Sequence, residues 1–586
     1  MKQFLITVGG VLVGLLIFLF LGPFLLISAL IGSMGQAPAM PSQMVIAMDL
    51  RQPMTDQRPV NPFAALGSGP SLLDTITRIE AAANDDRVKG IFIRASTDGM
   101  SPAEAEEIRA ALATFRRSGK FVVAHLQGEG ARMSMPGYMA VADADEVWLQ
   151  ESSEFLPMGL SAEVTFFADT LRRYHLQAQF EARDENKTAA NELTQRGFTP
   201  AHREQITGLL GGLYDIMLAN IAADREIEPQ AVRAAIEATP FTAQRAVELR
   251  LIDRLGWPEA AQQAALARVG DDDAEIVELA DYHARGGGGD VIAVVQGEGV
   301  IVTGPESTDI FADESTMTSD RIAEALIEAA EDDDVKAIVF RVSSPGGSAI
   351  ASDQMLAALR VARESGKPIV VSMGSVAASG GYYVATHANE IVASPSTITG
   401  SIGVISGKLV IGGALEHYLS AQTDTISIGS PYVNMFTSDR PFTAAEAAMH
   451  AQGVDRIYDT FVNLVSDGRG IPTDRVREIG GGRIWTGQQA LQLDLVDHLG
   501  GFSVAVARAR ALAGIEEDAR VQLRIFPAEE SPFQAFERFF GVSSESAETL
   551  ARLNTVMSDP RFARLMSAMS EDNVGARTQA EPITVR

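Results

Sequence analysis

Residues 85–96 read DDRVKGIFIRAS, and the same text returns at 332–343 as DDDVKAIVFRVS, identical at seven of twelve positions. A short apolar run rich in valine, isoleucine and phenylalanine, bounded by acidic residues and a serine, suits a strand buried on both faces. That is the pattern of a parallel sheet rather than of a half-solvated antiparallel one. Further out, FTAQRAVELRLIDRLG (241–256) returns as WTGQQALQLDLVDHLG (485–500), identical at eight of sixteen positions. GYMAVADADEV (137–147) returns as GYYVATHANEI (381–391). The offset is 247 residues early and 244 later, so one three-residue indel aligns the whole length. The chain is a tandem duplication of one domain.

Around the repeated run, SDRIAEALIEAAEDD has helical spacing, with Ile322, Leu326 and Ala329 on one face. SDQMLAALRVARESGK predicts a second helix stopped by Gly366, and PIVVSM the next strand. Repeating strand–helix units imply an α/β fold, a mainly parallel sheet covered by helices. Ligands of such sheets bind beyond the carboxyl ends of the strands. The loops SSPGGS (343–348) and MGSVAASGG (373–381) fall there.

At 586 residues the chain exceeds what one core supports. With 46% hydrophobic and 21% charged residues it is globular. A net charge of −28 argues against nucleic acid as a partner and against broad docking on anionic lipid. With no cysteine there is no disulfide, no thiolate nucleophile and no Cys-ligated zinc, and no metal or cofactor is expected. Residues 4–32 carry no charge over 29 positions, enough to span a bilayer. Lys2 precedes this run and no Lys or Arg follows until Arg51, which predicts a cytoplasmic N-terminus and a body on the far side. The expected organisation is a transmembrane anchor over 1–32 and a linker over 33–43. The first copy covers 44–284, a Gly-rich join 285–290, the second copy 291–525, and an amphipathic extension with a flexible tail 526–586.

Differences between the copies carry the chemistry. Ser379 faces Met135, Gly380 faces Pro136, Gly347 faces Met100 and Ser401 faces Pro157. Only the second copy can therefore supply a serine nucleophile, Ser379. The N–H groups of Gly380 and Gly347 are candidate donors to an oxyanion there. Serine needs a base. His387 follows the serine too closely on its own element, and His417 sits on a helix, so neither is persuasive. The chain has seven lysines against forty-one arginines. Lys89 pairs with Lys336 across the repeat and Lys120 with Lys367, whereas Lys187 and Lys408 have no counterpart. Either unpaired lysine becomes a base if burial lowers its pKa, with Ser401 available to orient the amine.

The anchor, the tandem copies, SPGGS, MGSVAASGGYY, PSTITGSIGV and WTGQQALQLDLVDHLG together resemble the signal peptide peptidase SppA (protease IV) family in its long two-repeat form, over about residues 45 to 510. The resemblance implies a fold related to the ClpP and crotonase superfamily and a Ser/Lys-dyad peptidase. By it Ser379 is the nucleophile, Lys187 the general base and Ser401 the serine that holds the amine. Met135, at the lost serine position, precedes Lys187 by 52 residues, close to the short form's serine-to-lysine spacing of roughly fifty. It also implies peptide substrates (signal-peptide remnants and unfolded proteins), a homotetramer, contact with lipid through residues 4–32, and a bacterial inner-membrane location with the catalytic body outside the cytoplasm. A crotonase-type acyl-CoA enzyme would use the same oxyanion donors but needs neither Ser379 nor an anchor.

Overall fold

The computed structural model describes residues 40–57, 71–95, 100–127, 134–284, 288–305, 316–517 and 519–527. The expected anchor, most of its linker, part of the Gly-rich join and the extension beyond residue 527 lie outside the described residues.

Each copy builds its own sheet. The first runs Arg254–Leu255, Glu146–Leu149, Phe121–Leu126, Val88–Ala95, Met44–Asp49 and Glu275–Glu278, every neighbour parallel. The second has eight strands, with Asp290–Glu298, Val335–Ser344 and Ile369–Ala378 at its centre and Val521–Phe526 on one edge. Ile369–Ala378 continues two ways, pairing with Glu390–Ala393 early in its length and with Ile398–Gly400 at its end. The duplicated run lands centrally in both sheets. Ile338, Val339 and Phe340 are fully buried, each burial worth roughly 1.5–3 kcal/mol.

Side-chain contacts repeat with the same offsets as the sequence. Tyr138 Oη donates to Leu251 O and Tyr382 Oη to Leu495 O. The Asp253 and Asp497 carboxylates accept from Val147 N and Ile391 N. Lys120 and Lys367 donate to carbonyls at the C-terminal ends of helices Leu72–Ala83 and Ser319–Glu331, at Ala82 and Asp85 in one copy and Ala329 and Asp332 in the other. These paired lysines are framework.

The copies are joined by buried polar groups that the repeat does not share. Arg341, fully buried, donates to both Asp56 and Glu107 of the first copy and to Ser372 Oγ and Met373 O of its own. Its first-copy counterpart, Arg94, is part-exposed and stands 3.8 Å from Glu259. The first-copy helix Pro102–Arg117, started by Pro102 and a Ser101–Glu104 capping box, carries the interface carboxylates. Glu104 accepts from Ser375 Oγ, Glu106 from Ser396 N and Glu107 from Phe502 N. One described helix, Pro200–Asp224, is long and apolar enough to cross a membrane. Its Leu213, Ile216, Met217 and Ile221 are buried, and its Gln205 side chain bonds Asn186 O and Ile484 N.

Candidate active site

Ser379 stands where the strand Ile369–Ala378 passes into the four-residue helix Gly380–Tyr383. Its φ of 54° and ψ of −116° lie where a non-glycine residue is strained, by roughly 1–3 kcal/mol. Its hydroxyl makes no helix-capping bond, which leaves Oγ available. In the first copy the helix Met135–Val141 begins instead from a relaxed Ser134 whose hydroxyl caps Gly137 N. Met135 is buried at the equivalent of the serine. The Ser379 backbone is tied to the next strand, its N–H donating to Gly400 O at 2.9 Å, so Ser401 follows directly beside it.

The lysine arrives by an antiparallel pairing between copies. First-copy strand Gln177–Arg183 pairs with second-copy strand Val404–Val410, with Arg183 opposite Val404. The chain leaving Arg183 therefore runs past the residues that precede Val404, and Lys187 meets Ser401. Lys187 Nζ lies 2.9 Å from Ser379 Oγ, 2.8 Å from Ser401 Oγ and 2.9 Å from Ser401 O. Nζ donates to all three oxygens, as an ammonium with three N–H groups would; the neutral amine has two N–H groups and a lone pair for the third contact. Lys187 is 9% exposed, and burial lowers its pKa to about 8. At pH 7 that leaves roughly a tenth of the amine free of its proton.

The loop after Val335–Ser344 lies against Gly380. Ile301 N donates to Gly346 O and Ser348 N to Ile301 O, each at 2.9 Å, which turns the N–H of Gly347 between them to the other side. A β-carbon at Gly380 would stand 3.2 Å from Gly347 N, and one at Gly346 (φ +102°) would stand 2.7 Å from Gly380 N and 2.8 Å from Ser379 Cβ. Only glycine fits this contact. Both expected donors thus adjoin the serine.

The other candidates sit elsewhere. Lys408 donates to Met435 O and Thr437 O and lies 4.1 Å over the Phe442 ring. His387 contacts Arg360 and Thr386, and His417 stacks on His175 at 4.0 Å. The sequence reading passed over two features. One is Gly346, which makes the close contact to the serine. The other is the triglycine Gly480–Gly482, whose signal was its own repetition and which borders Lys187. Among the described residues no cluster of three His, Asp or Glu could hold a metal.

The model of Peptidase family S49 matches residues 114–270 and again 361–516, one match in each copy. Protease 4 of Salmonella typhi is 31% identical over 462 residues, covering 76% of this chain and 73% of that protein. Serine protease SPPA, chloroplastic, of Arabidopsis thaliana is 28% identical over 491 residues, covering 82% and 70%. Protease 4 of Haemophilus influenzae is 27% identical over 472 residues, covering 77% and 74%.

Proposed function

Because the chain belongs to peptidase family S49, as a serine peptidase of the long two-copy SppA form, we propose that it cuts peptide bonds with Ser379 as nucleophile and Lys187 as general base. The observation that carries the reading is the 2.9 Å between Lys187 Nζ and Ser379 Oγ, with the amine held from behind by Ser401. The neutral amine takes the hydroxyl proton as Oγ attacks the scissile carbonyl. The N–H groups of Gly347 and Gly380 receive the oxyanion. Lys187 passes its proton to the leaving amine, and the acyl-Ser379 ester forms. A water, deprotonated in turn by Lys187, hydrolyses that ester.

The finer setting rests on sequence. Two ClpP/crotonase-like copies with the boundaries given above sit behind one membrane helix at residues 4–32, with the body outside the cytoplasm of a bacterium. An anchored peptidase of this kind acts on signal-peptide remnants and other unfolded or membrane-derived peptides. The homotetramer is what the resemblance implies; the exposed Ile426, Ile428, Val433 and Phe436 (93%, 91%, 56% and 55%) are apolar surface that another copy of the chain would cover.

The test is hydrolysis of a leucine p-nitrophenyl ester by the full chain in detergent. Ser379→Ala and Lys187→Ala are expected to lose roughly a thousandfold or more in kcat, and a fluorophosphonate should label the wild type but not Ser379→Ala. Full activity in Lys187→Ala would overturn the dyad.

A further inference from the structure

Lys187 is seated on backbone rather than on side chains. Gly482 has φ +83°, and a β-carbon there would stand 2.4 Å from Lys187 N, 2.5 Å from its Cα and 2.6 Å from its Cβ. Real β-carbons do not approach backbone so closely. On the other side of Gly482 lies Gly403, where a β-carbon would meet Gly482 N at 2.9 Å and Arg183 O at 2.7 Å. Three stretches of chain, 183–187, 402–403 and 481–483, are thus stacked, with Gly403, Gly482 and Lys187 too close for a side chain to stand between them. Hydrogen bonds hold the stack in register. Gly482 N donates to Ile402 O at 2.8 Å, Ser401 N to Arg483 O at 2.6 Å, and Asp184 N to Gly481 O at 3.3 Å. Gly482 and Gly403 belong to the second copy, and residues 183–187 to the first.

We propose that Gly482, stacked on Gly403, is a positioning residue that sets how deeply the first copy's Lys187 enters the second copy's site, and so its reach to Ser379 and Ser401. The inference rests on the Ser379/Lys187 reading above. A side chain at 482 pushes the Lys187 backbone outward. The amine then lies further from Ser379 Oγ and closer to water, and its pKa climbs back toward that of an ordinary lysine. Gly482 touches neither substrate nor the reacting atoms; it acts through Lys187 alone.

The neighbouring Gly481 supplies the control. Its φ of +61° is left-handed too, so an alanine there carries a similar backbone cost. The three atoms nearest its β-carbon, however, would all belong to the Asp184 side chain, the closest a carboxylate oxygen at 3.1 Å. Comparing Gly482→Ala with Gly481→Ala therefore separates the collision from the strain.

The experiment measures kcat and KM for the leucine p-nitrophenyl ester from pH 6 to 10, with thermal unfolding, on the full chain in detergent. The variants are Gly482→Ala, Gly481→Ala, Gly403→Ala and Lys187→Ala. In Gly482→Ala and Gly403→Ala, kcat should fall roughly tenfold or more with KM within about twofold, the scale of a misplaced catalytic group. The acid limb of their pH profile should move to higher pH, while Gly481→Ala keeps the wild-type limb. A Gly482→Ala protein with unshifted profile and wild-type kcat would overturn the proposal. So would equal losses in Gly481→Ala. A Gly482→Ala chain that does not fold would also count against it, provided that Gly403→Ala folds and keeps the wild-type profile. If Lys187→Ala itself stays active, it is the dyad that has failed, and the glycine result is read separately.

Discussion

Removing the Ser401 hydroxyl tests the arrangement at its narrowest point. Ser401 supplies two of the three polar contacts of Lys187 Nζ, through Oγ at 2.8 Å and its carbonyl at 2.9 Å. In the neutral amine these two contacts take up both N–H bonds, which leaves the lone pair for Ser379. Ser401→Ala deletes one contact and frees the amine to turn about the other. The lost hydrogen bond is worth roughly 0.5–1.5 kcal/mol, and misaiming a catalytic group costs up to about a hundredfold in rate. Together they predict a fall in kcat of roughly tenfold to hundredfold, about 1.4–2.7 kcal/mol of barrier, with KM unchanged. Ser401 has φ +51°, so alanine there keeps the strain whereas glycine relieves it. Ser401→Gly should therefore lose as much kcat as Ser401→Ala while unfolding at a higher temperature. Active-site titration with a fluorophosphonate normalises each preparation to folded enzyme. A Ser401→Ala enzyme within twofold of wild type at every pH would refute the reasoning.

Other outcomes follow from the same geometry. Since burial lowers Lys187 to about pH 8, kcat/KM should rise through an acid limb centred near pH 8; a limb near pH 6.5 would point to histidine instead. Lys408→Ala should keep its kcat but lower the unfolding midpoint, because the buried amine satisfies two part-buried carbonyls and none of the site. Arg341→Met leaves the Asp56 and Glu107 carboxylates buried without their cation, a loss of about 3–5 kcal/mol by denaturant titration. Burial raises Glu106 and Glu298, both at the seam between copies, to about 7. The folded state then holds protons that the unfolded chain releases near pH 4.5. Their contribution is complete below that value and is lost as pH rises through 7. The unfolding midpoint should accordingly fall between pH 5 and 7, and Glu106→Gln should flatten that slope.

What the sequence determined by itself was whatever the duplication and local pattern encode. The repeated run 85–96 and 332–343 placed a buried parallel strand in each copy, because period and β-branching report burial on both faces. Comparing the copies isolated Ser379, Gly347 and Ser401, since a framework shared by both cannot explain residues kept by one. The two unpaired lysines were visible in the same way, and family resemblance favoured one of them. Geometry that depends on residues far apart in the chain was not legible. That Lys187 lies beside Ser379, 192 positions away, follows from the register of Gln177–Arg183 against Val404–Val410, and no local pattern specifies a pairing between copies. Lys408 sits on that same strand, yet its side chain is committed to the carbonyls of Met435 and Thr437. The seat made by Gly403 and Gly482 was equally hidden. A glycine records only that no side chain is present, and tertiary structure alone shows what occupies the space. The positive φ of Ser379, between the hydrogen bond of its N–H to Gly400 O and the helix that follows it, is likewise a strain that residue type would have argued against.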